Sequence, residues 1–163
     1  FPYTTLFRSA ERPLSPGELS FLHLLFNDLV RFIGDDFSPV RPELCKEYPT
    51  NYCIRQQING KFSIRTYIDM PESTCIAFAS RYVDEDFHSF DEYVQSSLED
   101  FLNLHNGLFN VNMSNEQGLE LQLDVPNVVT DELVTFEHEA YMLPIVYSFG
   151  TIHFIFELIH NEL

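Results

Sequence analysis

In the segment SSLEDFLNLHNGLF, Ser96, Asp100, Asn103 and Gly107 recur at the three- and four-residue spacing that places side chains on one face of a helix. At about 100° per residue the four fall within roughly 60° of one another, while Val94, Leu98, Phe101, His105 and Leu108 cluster roughly 160° away. Packing the apolar side turns the small polar row outward. A face that only meets water favours Glu, Lys, Gln or Arg, whereas Ser, Asp, Asn and Gly each cost about 0.5–1 kcal/mol relative to Ala. One explanation is local: the helix frays near Asn103, or Asn106-Gly107 is its C-terminal stop, although Leu108, Phe109 and Val111 extend the apolar supply beyond it. The other is a partner at close range. Gly107 then removes a side chain that would hold the partner off, Asp100 supplies a charge or acceptor, and Asn103 offers donor and acceptor on one short arm. That inventory suits placing one water molecule against an electrophile.

Other chemistry finds less support. Glu137-His138-Glu139 is the densest group of metal-ligand types, but on an alternating strand the two carboxylates face away from His138, and no HExxH spacing accompanies them. No metal site is expected. His105 falls on the apolar side of the long helix and reads as a satisfied core residue, and Ser96 and Ser97 lack a nucleophile elbow or a paired His and Asp. Gly60, Gly118 and Gly150 stand singly at turns, so no phosphate-cradling loop is present. Cys45, Cys53 and Cys75 form no CxxC pair and leave an odd thiol, which suits core packing in a reducing compartment.

The elements that must position the row are legible from periodicity and punctuation. SPGELSFLHLLFNDLVRFIG predicts a helix over 16–33, with Ser15 as N-cap, Pro16 at its first position, Glu18 completing a capping box and Gly34 as the stop. The proline-rich DDFSPVRPELCKEYPT predicts irregular or short edge-strand structure, and Asn59-Gly60 between alternating runs predicts a hairpin. A modest helix opens at Pro71-Glu72, and a longer one is expected from Phe90 to about Phe109, capped by Ser89. GLELQLDV, LVTFEHEA, MLPIVYSF and TIHFIFELI read as strands, the last two joined around Phe149-Gly150. Two halves share a plan of helix followed by hairpin. The expected fold is an α/β (α+β) sandwich with a mostly antiparallel sheet covered by helices.

The bulk composition narrows the partners. A chain of 163 residues with 45% hydrophobic content can bury one core, and its net charge of −16 repels phosphate backbones and anionic lipid, which sets nucleic acid and membranes aside. With no apolar run long enough to span a bilayer and no secretory signal in FPYTTLFRSAER, a cytoplasmic protein is expected. Residues 1–13 read as a non-native or linker segment, with PLSPGEL compatible with a linker from an upstream domain, and residues 14–163 as the domain proper.

The row Ser96-x3-Asp100-x2-Asn103-x3-Gly107 resembles the S/D-x3-E-x2-N signature, commonly followed by Gly, of the CheC/CheX/FliY phosphatases of bacterial chemotaxis, and GLELQLDVPNVV is similar to the strand-then-proline segment after that family's helix. The resemblance covers residues 16–160 and implies a CheC-like fold. It implies that Asp100 and Asn103 enter the active site of a phosphorylated CheY-type receiver, with Asn103 orienting the hydrolytic water and Asp100 pairing with a receiver lysine. Ser96 and Gly107 would contact the partner, and Mg²⁺ would belong to the receiver, with no cofactor bound by this chain. The first helix carries no E-x-x-N, since Asp28-x-x-Arg31 does not match, and a single site is the CheX arrangement, typically a homodimer joined edge to edge. The family usually has Glu where this chain has Asp100, one methylene shorter. The alternative is therefore a catalytically degenerate adaptor or dimerisation module that binds a receiver without hydrolysis.

Overall fold

The computed structural model describes residues 14–160, and the segment 1–13 assigned above to a non-native or linker stretch lies outside them. Three helices, α1 (Pro16–Phe32), α2 (Glu72–Val83) and α3 (Glu92–Gln117), accompany ten strands among the described residues. The strands are β1 (Phe37–Pro39), β2 (Glu43–Leu44), β3 (Glu47–Pro49), β4 (Tyr52–Asn59), β5 (Ser63–Met70), β6 (Gln122–Leu123), β7 (Asn127–Thr130), β8 (Leu133–Thr135), β9 (Glu139–Tyr147) and β10 (Gly150–His160).

The α1 N-terminus forms as its sequence dictates: the Ser15 hydroxyl accepts from Glu18 N and the Glu18 carboxylate accepts from Ser15 N, closing a capping box. The hairpins β4–β5 and β9–β10 lie side by side, with β5 and β10 paired antiparallel at the centre of the sheet order β1-β9-β10-β5-β4-β6. The second strand of one hairpin thus meets the second strand of the other, which is how two copies of one helix-plus-hairpin plan join about a local two-fold. The structure bears out the expected antiparallel sheet with helices against it.

Strand alternation sorts the two faces. Ile54, Ile58, Ile64, Ile68, Phe154 and Phe156 face the helices and join Phe21, Leu25, Leu98, Phe101 and Phe109 in the main core. On the opposite face Cys53, Tyr67 and Ile155 form a smaller cluster with Tyr48, Val134 and Phe136, under a flap made by β3 paired to β8. Asp69 anchors that flap: its buried carboxylate accepts from the Tyr48 hydroxyl at 2.8 Å and from Asn51 N at 2.7 Å. Cys53 and Cys75 are buried in these clusters and Cys45 is half-buried, as core packing requires; burial pushes the Cys75 thiol up to about 12.

Several boundaries differ from expectation. The long helix starts at Glu92 and is capped by Asp91, whose carboxylate accepts from Tyr93 N and Val94 N, rather than by Ser89. It runs past Asn106-Gly107 to Gln117, where Gly118 at φ 66° closes it. GLELQLDV contributes only β6, because it meets β4 at its very end, and the ladder resumes as β7 after Pro126, which has no N–H to donate. LVTFEHEA is split: Glu137 and His138 sit in a bend between β8 and β9, so the alternating-strand argument does not apply to them.

Candidate functional site

The site is built on α3, which contacts α1, α2, β4 and β6. Val94, Leu98, Phe101, Leu102, His105 and Phe109 are buried, so the opposite face is set outward by packing alone. His105 is a core residue as its position implies. It is fully buried with Nδ1 2.9 Å from Asp28 Oδ2 and rests edge-on against Phe21 and Phe154. Asp28 on α1 is thus a structural partner of α3 rather than part of a second surface signature. Ser97 is likewise structural, its hydroxyl donating to Tyr93 O one turn back.

Ser96, Asp100 and Asn103 are exposed along one unbroken stretch of helix, with Gly107 half-buried one turn further on. The fraying and stop explanations for these residues are therefore excluded. Gly107 has no left-handed backbone to accommodate, and a Cβ there would meet only Leu123 Cδ1, at 4.0 Å. The fold leaves the space above it open.

The two central side chains are held from behind. The Tyr82 hydroxyl on α2 donates to Asp100 Oδ2 at 2.5 Å; burial and this bond both push the Tyr82 hydroxyl above its ordinary range, so it remains a donor. Gln56 Nε2 on β4 donates to Asn103 Oδ1 at 2.8 Å and to the Asp124 carbonyl at 2.9 Å. Asn106, next on the inner side of α3, donates from Nδ2 to Gln56 Oε1 and to Thr66 Oγ1, each at 2.9 Å. An open groove lined by Tyr82, Val83, Phe87, Tyr93 and Ser96 leads to Asp100.

Tyr82, Gln56 and Asn106 have no part in the sequence-based site. Gln56 leaves a trace, since it stands between Ile54 and Ile58 on the core-facing register of β4, where an amide has no packing purpose. Asn106 leaves a similar one, buried among the apolar positions of α3. Tyr82 leaves none, because only the packing of α2 on α3 brings it to Asp100.

Among the described residues no three His, Cys, Asp or Glu side chains gather as a metal-binding set. His138 Nδ1 lies 3.6 Å from Glu157 Oε2 at the flap, away from the α3 row. No described helix is long and apolar enough to cross a membrane.

One sheet of two abutting helix-plus-hairpin halves, its helices gathered on one face, is the CheC-like fold. The CheX chemotaxis protein of Desulfovibrio desulfuricans has a TM-score of 0.74 at 15% identity, covering 88% of this chain and 99% of its own. The CheX of a CheX–CheY–BeF3–Mg²⁺ complex from Borrelia burgdorferi gives 0.73 at 18% identity, covering 85% and 94%. FliY of Thermotoga maritima gives 0.57 at 10%, covering 93% and 94%. Residues 52–150 match the family model described as chemotaxis phosphatase CheX, and the chain belongs to that family. No curated protein matches the sequence.

Proposed function

We propose that the protein accelerates hydrolysis of the aspartyl phosphate on a CheY-type receiver domain, with Asn103 orienting the attacking water and Asp100 pairing with a receiver lysine. The observation that carries this reading is the outward pair Asp100 and Asn103 on an intact helix, each held by a side chain behind it. Membership of the CheX family and the CheY complex of the Borrelia burgdorferi relative support the partner class.

The chemistry demands little of this chain. Water oxygen bonds to phosphorus as the bond from phosphorus to the receiver carboxylate breaks; the carboxylate leaves with the electron pair, and the water proton passes to the phosphate or to solvent. No nucleophile comes from the phosphatase, so its contribution is positioning and electrostatics. Asn103 Nδ2 donates to one lone pair of the water and leaves another for phosphorus. Asp100 Oδ1 is the carboxylate oxygen left for the lysine once Tyr82 occupies Oδ2. Ser96 and Gly107 flank the contact, and Mg²⁺ belongs to the receiver.

The net charge of −16 denies the pair long-range attraction if the receiver is also acidic, so a transient complex is expected. Both partners would act in the cytoplasm, with this chain as a homodimer joined through a sheet edge.

A purified receiver phosphorylated with acetyl phosphate loses phosphate faster with the wild-type protein, and Asn103→Ala abolishes the gain. Equal rates for the two would reject catalysis. The short Asp100 arm, already tied to Tyr82, favours a second reading in which the chain binds a receiver without hydrolysing it. Asp100→Glu separates the readings: activity arising only in this variant identifies a degenerate binder.

A further inference from the structure

We infer that Gln56 and Asn106 are positioning residues that fix which end of the Asn103 carboxamide faces the partner, an inference that rests on the phosphatase reading above. A main-chain carbonyl can only accept, and two of them set the direction of the whole chain of bonds. The Gln56 carbonyl accepts from Thr66 Oγ1 at 2.9 Å, which uses the only hydroxyl proton of Thr66. Thr66 Oγ1 therefore meets Asn106 as an acceptor, and the NH₂ end of Asn106 must turn toward it. The same NH₂ group donates to Gln56 Oε1, so the NH₂ end of Gln56 lies on the far side.

There Gln56 Nε2 finds the second accept-only partner, the Asp124 carbonyl, together with Asn103 Oδ1. Both anchors demand the same orientation. Asn103 is left with its carbonyl engaged inward and its Nδ2 without a partner among the described residues.

The arrangement carries a cost that packing does not explain. Asn106 Oδ1 is buried with no hydrogen-bond partner among the described residues, and turning the amide over to relieve it would set that oxygen against Gln56 Oε1. Gln56 and Asn106 are each at most 1% exposed beside a core built mainly of Ile, Leu and Phe. Two buried amides at that interface serve Asn103 rather than the fold. A freely turning Asn103 would present an acceptor to the water about as often as a donor.

The test uses the full chain carrying Gln56→Glu or Gln56→Met, a CheY-type receiver phosphorylated with acetyl phosphate for rates, and the same receiver with BeF3⁻ and Mg²⁺ for affinity. Ionised glutamate offers Asn103 only an acceptor and turns its amide over; methionine keeps the volume and removes all three side-chain hydrogen bonds of Gln56. Each variant should lower the maximal dephosphorylation rate about 10- to 100-fold, the scale of a small misplacement of a reacting group. Receiver affinity should stay within about twofold, which a general structural defect would not spare.

Side-chain amide exchange by NMR reads the orientation without catalysis. The Asn103 Nδ2 protons exchange freely in the wild type and become protected in Gln56→Glu as its carboxyl ionises on raising the pH. Wild-type rates in a folded variant, loss of rate and affinity together, or unchanged Asn103 exchange in Gln56→Glu would each overturn the inference. If Gln56→Glu fails to fold, Gln56→Met carries the kinetic test. A wild-type protein that leaves the receiver phosphate untouched defeats the phosphatase reading instead, and the exchange measurement still decides the orientation.

Discussion

Asp100 depends on Tyr82 for its direction. An aspartate has one fewer torsion than glutamate and reaches less far, so a fixed carboxylate matters more to it than to the longer side chain. The Tyr82 hydroxyl supplies that constraint through a 2.5 Å bond across from α2. Tyr82→Phe keeps the ring that packs edge-on against Phe101 and removes only the hydroxyl. It should lower receiver dephosphorylation severalfold at saturating receiver, while the melting temperature shifts by no more than a few degrees because the bond is exposed to solvent. An unchanged maximal rate would show that Asp100 needs no such support.

Helix α3 carries two requirements that pull apart. As a helix it would be better with alanine at 107, since Gly107 has helical backbone in its interior and a Cβ there would meet nothing closer than Leu123 Cδ1 at 4.0 Å. Gly107→Ala should raise unfolding free energy by about 0.5–1 kcal/mol in a denaturant titration and weaken receiver binding if the partner lies against this face. The inner side shows the opposite economy. Asp28 and His105 join α1 to α3 through a hydrogen-bonded pair removed from water, so His105→Ala leaves the buried Asp28 without its partner and should cost at least about 1–3 kcal/mol. Replacing both with leucine should cost much less, and calorimetry or denaturant unfolding of the three variants checks the comparison.

Across the molecule, pH acts on the sheet face opposite the helices, where His153 packs beside Tyr48 and the Asp69 carboxylate. Burial holds the His153 imidazole below its ordinary value of about 6.5, outweighing the favourable charge of Asp69. The unfolded chain therefore binds a proton first as pH falls. The stability linked to His153 is fully present above about pH 6.5 and is lost as pH drops through the folded value. Asp69 has the other sign: burial raises its carboxyl despite the bonds from Tyr48 and Asn51, so its contribution is present below about pH 3.9 and lost as pH rises through the folded value. His153→Phe should accordingly flatten the fall in melting temperature on acidification below pH 6.5. An identical slope in wild type and variant would remove His153 as the cause.

Local chemistry alone made much of this protein readable. The capping box at Ser15 and Glu18, the Asn59-Gly60 hairpin and the apolar stripe of α3 act through neighbours a few residues away, so their outcome is written in short segments. The same periodicity put Ser96, Asp100, Asn103 and Gly107 on one outward face, because a helix with one side buried has no freedom in where the other points. What the segments could not contain was the length of α3 beyond Gly107, the splitting of the strands on either side of Pro126 and Glu137, and the support behind the site. Those depend on partners distant in the chain: β4 ends where β6 meets it, Tyr82 reaches Asp100 only once α2 packs on α3, and Gln56 reaches Asn103 only once the sheet lies beneath the helix. Sequence spacing therefore chose the residues that face outward, and long-range packing decided how firmly, and with which atoms, they are presented.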